Sequence, residues 1–159
     1  MGILRSEEIH SLDEQTIVYL QQLAQANIDS AEGFRRAAEA MTDKVLAADF
    51  RVWAVDRTRQ ADELTQYIEL NEHQAPEDRS WMASLHQTWM DLRAAISAGD
   101  TQAVLAEVER GEDMIKSGYE EALKETSGSA VNSVLQHQYA QVKGVHDRIR
   151  DLRNTRRKE

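Results

Sequence analysis

Pro76 is the only proline in a chain of 159 residues. Proline lacks a backbone donor and its ring clashes with the preceding helical turn, so helix interiors exclude it. One proline near the middle leaves each half of the chain free to run as long helices. Apolar residues in both halves recur at three- and four-residue spacing, and no segment alternates as a strand would. The sequence reads as five helices, at about 11–41, 44–73, 78–97, 101–125 and 130–155. The breaks carry cap and turn chemistry. Thr42 or Asp43 in "MTDK" caps the second helix, and "HQAPEDRS" is a turn. In "AGD", Gly99 suits a left-handed C-cap and Asp100 or Thr101 starts the fourth helix. "TSGSA" separates the last two helices.

Short breaks make successive helices antiparallel. Four long helices with a shorter third one make an all-α pattern that resembles the ferritin-like fold: a four-helix bundle with a short additional crossover helix between the second and third long helices. The expected organisation is a 1–10 N-terminal extension, the bundle over 11–155 and a basic tail at 156–159. Met82, Leu85, Trp89, Leu92 and Ile96 form the stripe that lays the crossover helix on the bundle. Trp81 and Trp89 read as packing anchors rather than ligand contacts.

Composition narrows the function. The chain is 41% hydrophobic and 30% charged, enough for a real core. With no cysteine, disulfides, thiol catalysis and cysteine metal sites are excluded. A net charge of −9 argues against general nucleic-acid binding, which needs phosphate neutralisation. The locally basic "RDLRNTRRKE" reads first as cations at a helix C-terminus, where the macrodipole favours them, and second as a polyanion contact. No apolar run reaches the ~20 residues of a membrane span. "MGILRSEEIH" has no signal-peptide h-region, so no membrane role and a cytoplasmic location are the expectation. Gly2 and Ser6 fit the short myristoylation pattern, which is common by chance.

Helical wheels place the core. The first helix turns Leu20, Leu23, Ala24, Ala31, Phe34 and Ala38 inward, with Asn27 in mid-stripe. The second buries Leu46, Phe50, Trp53, Leu64 and Tyr67, with Arg57 and Gln60 among them. The fourth buries Val104, Val108, Ile115, Tyr119 and Ala122, with Glu112 on its inner shoulder. Gly111 near that face admits a close neighbour. The fifth buries Val131, Leu135, Val142, Val145 and Ile149, with Tyr139 and His146 on one shoulder. At about 1.5 Å per residue, Asn27, Arg57, Gln60, Glu112 and His146 reach one level. They predict a polar layer across an apolar bundle, built on an Arg57–Glu112 ion pair, because charges are rarely buried unpaired. Asn27, Gln60 and His146 are expected to complete its hydrogen bonds.

The alternative is a metal. Ferritin-like di-iron proteins take a glutamate from each of two helices and Glu-x-x-His from each of the other two. Here the first helix offers no inward carboxylate in its central turns. "ELTQ" puts Gln66 at the histidine position after Glu63, and "KGVH" puts Lys143 at the glutamate position before His146. A reduced divalent site would consist of Glu112 and His146, helped by Glu109 or Glu63. His146 is thus read first as a hydrogen-bonded core histidine, then as a ligand, then as a general base; His10, His73, His86 and His137 read as surface residues. No Ser-His-Asp set and no phosphate-binding glycine loop is present.

The segments "NIDSAEGFRRAAEAM", "LHQTWMDLRAAI", "VERGEDMIKSGYEEAL" and "QYAQVKGVHDRIRDLR" resemble an uncharacterised bacterial family of ferritin-like bundles, a domain of unknown function. The resemblance spans about residues 11–154 and implies the fold without a reaction. Two expectations follow. One is a non-enzymatic bundle acting through association, stress-associated or scaffolding, with no cofactor. The other is a bundle binding one iron, manganese or zinc ion with weak oxidoreductase activity. Ile17, Val18, Ile28 and Leu70 lie off or at the edge of the inner stripes and suggest an outer patch for a homodimer.

Overall fold

The computed structural model describes residues 9–72 and 80–157, with side chains excluded at 80–86, 156 and 157. Its long elements are α1 (Glu14–Ala40), α2 (Lys44–Leu70), α3 (Ser80–Ala98), α4 (Thr101–Glu125) and α5 (Asn132–Arg157). No strand occurs among the described residues. Side-chain caps fix three helix starts. Asp13 accepts from the Gln15 and Thr16 amides, Asp43 from Val45 and Leu46, and Asp100 from Ala103. Gly99 closes α3 at φ 70°, the left-handed conformation that a side chain would oppose. Ser11 falls outside α1, which starts three residues later than the sequence suggests. The turn read at 73–80 lies outside the described residues except Ser80. The last helix runs on to Arg157, so the boundary between bundle and basic tail at 155 and 156 falls inside α5.

The α1–α2 and α4–α5 pairs are antiparallel hairpins, packed face to face. The order of contacts gives the topology. Tyr19 meets Glu121, Asn27 meets Tyr119 and Ser30 meets Glu112, so α1 and α4 run oppositely. Gln60 meets Gln141 and Glu63 meets Gln138, so α2 and α5 also run oppositely. Hence α2 and α4 point the same way. α3 stands in the connection between them and lies on α1 and α4. This is the expected crossover. Of its predicted stripe, Trp89, Leu92 and Ile96 join the core; the side chains of Met82 and Leu85, and of the expected anchor Trp81, lie outside the described residues.

Apolar packing forms two clusters. Leu20, Leu23, Leu64, Ile115 and Leu135 anchor one. The other holds Phe34, Phe50, Trp53, Leu92, Val108 and Ile149. Its centre is an aromatic triangle of Phe34, Phe50 and Trp53, with centroids 5.7–5.8 Å apart and tilted rings. Tyr67 is only half-buried at the edge. Ile17 belongs to the core, not to an outer patch. α1 is flanked by α2, α3 and α4, so its buried arc is wider than one stripe and takes in Thr16, Gln21 and Gln22 as well.

Candidate functional site

Between the two clusters the inner positions turn polar on four helices. Arg57 on α2 and Glu112 on α4 are wholly buried and form an ion pair through Arg57 Nη2 and Glu112 Oε1. Ser30 on α1 donates to the other oxygen, Oε2, at 3.1 Å. Arg57 Nη1 donates to Gln60 Oε1 at 2.9 Å, and Gln60 Nε2 to Gln141 Oε1 on α5 at 2.8 Å. The guanidinium lies 5.9 Å from the centroid of the Phe34 ring, within cation–π range. Burial of these charges is tolerable because each is paired and further hydrogen-bonded.

A second branch runs alongside. Asn27 Nδ2 donates to the Leu23 carbonyl and to Tyr119 Oη, both at 2.8 Å. Tyr119 Oη donates to Gln138 Oε1 at 2.7 Å, and Gln138 Nε2 to Glu63 Oε1 at 2.6 Å and to the Gln60 carbonyl at 3.3 Å. That last bond joins the branches through the α2 backbone. Burial pushes the Tyr119 phenol well above its usual range, despite the Asn27 hydrogen bond and the nearby Arg57 charge. Asn27 Oδ1 and Arg57 Nε are buried without a hydrogen-bond partner among the described residues.

The five residues read as a layer do not make one network of the predicted kind. Arg57, Gln60 and Glu112 come together. Asn27 lies on the branch with Tyr119 and does not bond the ion pair. His146 stands apart, although buried. Its Nε2 faces Asp113 on α4 and its Nδ1 faces Asp147 at 3.0 Å on its own helix. The reason is angular: one residue beyond Val145 rotates a side chain about 100°, off the inner face and toward the α4–α5 seam. There the imidazole, joined by Lys143, holds the Asp147 carboxyl at about 2, below its ordinary 3.8. Lower on the seam Arg153 donates to Glu109 at 2.7 Å.

Sequence reasoning missed Ser30, Gln138 and Gln141 and read Tyr119 as plain core. Gln138 carried a signal, since it continues the 131, 135, 138, 142, 145, 149 stripe of α5. Ser30 did too, one turn after Asn27. Gln141 carried none.

The metal alternative needs Glu112 and His146 to converge, with Glu109 or Glu63 beside them. They do not: their partners are Arg57 and Ser30, Asp113 and Asp147, Arg153, and Gln138 in turn. Among the described residues no three histidine, aspartate or glutamate side chains group as metal ligands. A di-metal centre needs four carboxylates and two histidines from the inner faces. Asn27 and Ser30 on α1, and the Arg57 guanidinium against Glu112, do not fit that donor set. His10 and His137 are exposed; His73 and the His86 side chain lie outside the described residues. No described helix is long and apolar enough to cross a membrane.

No curated protein and no solved structure matches the chain. Residues 15–125, from α1 to the end of α4 and well over half the sequence, match a family described as a domain of unknown function (DUF2383), and the chain belongs to that family.

Proposed function

We propose that this protein is a ferritin-like bundle of bacterial, cytoplasmic type that works through association with other protein surfaces, as a stress-associated or scaffolding component, and not through chemistry at its centre. The observation that carries the reading is the closed Arg57–Glu112 pair. It stands in the inner layer where ferritin-like metal centres gather their carboxylates, and the positive charge there comes from the chain itself. Arg57, Glu112, Ser30, Asn27, Tyr119 and Gln138 are all wholly buried, so no substrate reaches them without opening the bundle. The layer serves register. A paired charge between apolar clusters penalises any slide of one hairpin against the other. Outside, α2 keeps Val45, Val52 and Val55 exposed, an apolar surface available to a partner.

Elemental analysis tests the reading. Protein purified without added metal, then incubated with ferrous, manganous or zinc ions and desalted, is expected to retain far less than one equivalent. Stoichiometric retention that is lost on Glu112→Gln would overturn it in favour of the metal-binding alternative.

A further inference from the structure

α2 is apolar on two faces. Leu46, Phe50, Trp53 and Leu64 face the core. Turned away from it stand Val45, Ala48, Val52 and Val55, spaced three, four and three, the seam of a helix that meets another helix. The valines are 73%, 58% and 62% exposed, against a few per cent for the core residues of the same helix. Beyond Val55 the surface falls into an open groove between α1 and α2, lined by Arg35, Glu39, Arg51, Val55, Thr58 and Asp62. The N-terminal half of the face is thus a ridge and the C-terminal half a groove.

Charge indicates what covers it. At about 100° per residue, Lys44, Arg51 and Asp62 lie along the same edge of the seam. None of the three makes an ion pair among the described residues, although the neighbouring Arg59 pairs with Asp56 within the helix. Lys44 stands at the ridge end and Asp62 at the groove end, with Arg51 on the groove rim between them. That arrangement is complementary to itself when reversed.

We propose that this face pairs two copies of the chain, α2 antiparallel to α2 of the partner, about a two-fold axis close to Trp53 and Ala54. This rests on the reading that the protein acts by association, and names the surface and the partner. Val52 then meets the partner's Val55, and the partner's Asp62 comes level with Val45, within one turn of Lys44 and about 9 Å along the axis from Arg51. The two-fold repeats every contact, as an isologous interface requires. Of the apolar residues that sequence placed outside, both Ile28 and Leu70 are exposed; Ile28 belongs to α1, while Leu70 lies in line with Val52 on α2, about five turns further on.

Sedimentation equilibrium of the full chain tests the pairing. The wild type is expected to show a concentration-dependent mass between 18.1 kDa and twice that value. Val52→Glu/Val55→Glu should weaken the dimer at least ~100-fold while leaving helicity unchanged, since buried like charges oppose association. Asp62→Lys should weaken it too, and adding Lys44→Glu and Arg51→Glu to that chain should restore it. A wild type that stays monomeric at high concentration overturns the proposal. So does a dimer indifferent to both sets of substitutions, and so does valine sensitivity without rescue by the triple charge reversal. None of these results bears on metal retention, so failure of the pairing and failure of the association reading are told apart.

Discussion

Arg57 and Glu112 expose nothing to solvent, so neither can be left alone cheaply. Removing one partner of a buried pair strands the other, at a cost of about 3–5 kcal/mol, whereas replacing both by apolar groups is often neutral or better. Arg57→Met and Glu112→Leu should each lower the denaturation midpoint strongly, and the double variant should regain part of the loss. Additive losses in that cycle would show the side chains to be energetically independent. The pair is legible in sequence because an inward charge demands an inward counter-charge. His146 is not legible in the same way: a single step of helix rotation decides whether it meets the layer or the seam. At the seam it and Lys143 hold the Asp147 carboxyl at about 2, below its ordinary 3.8. A depressed carboxyl contributes stability above its unfolded pKa and loses it as pH falls through the folded one. Urea midpoints should therefore drop between pH 3.8 and about 2, and Asp147→Asn should flatten that part of the acid limb.

Between elements, the crossover helix is held by one large ring. Trp89 on α3 touches Gly33 of α1 and Gly111 of α4. A methyl at Gly33 would fall inside the van der Waals envelope of the indole. At Gly111 it would come to 3.3 Å, a contact that a shift of a few tenths of an ångström relieves. Overpacking costs about 1–3 kcal/mol, while alanine in place of helical glycine gains about 1. Gly33→Ala should therefore destabilise, and Gly111→Ala should stay within about 1 kcal/mol of wild type by thermal denaturation. The reverse order would show that the ring does not pack as described. Helix starts are readable in sequence because Asp43 and Asp100 act on their own next turn. The glycine–tryptophan fit is not, since Gly33 and Trp89 lie on helices far apart in the chain and only tertiary packing joins them. Gly111 could be singled out as a close-approach glycine; Gly33 sits in an alanine-rich stretch that gives no such hint.

For the whole molecule, helix number, order and crossover follow from where the apolar period breaks, and these are legible. Which outer surface has a purpose is less so. A wheel assigned one apolar face to α2 and assigned Ile17 to the outside; in the structure α2 has two such faces and Ile17 is enclosed, because neighbours on three sides widen what α1 buries. The polar thread also distributes unevenly. Its side chains come from α1, α2, α4 and α5, and none of the described side chains of α3 joins them. The four long helices are latched to one another, while the described side chains of α3 attach it by Trp89, Leu92 and Ile96, with a 3.7 Å Thr88–Met114 contact and an exposed Asp91–Arg110 pair at 3.8 Å. Subglobal openings in proteins follow such seams. Amides of α3 can thus exchange with solvent through a lift of that helix alone, while those beside Arg57 and Glu112 wait for the entire barrel of helices to come apart.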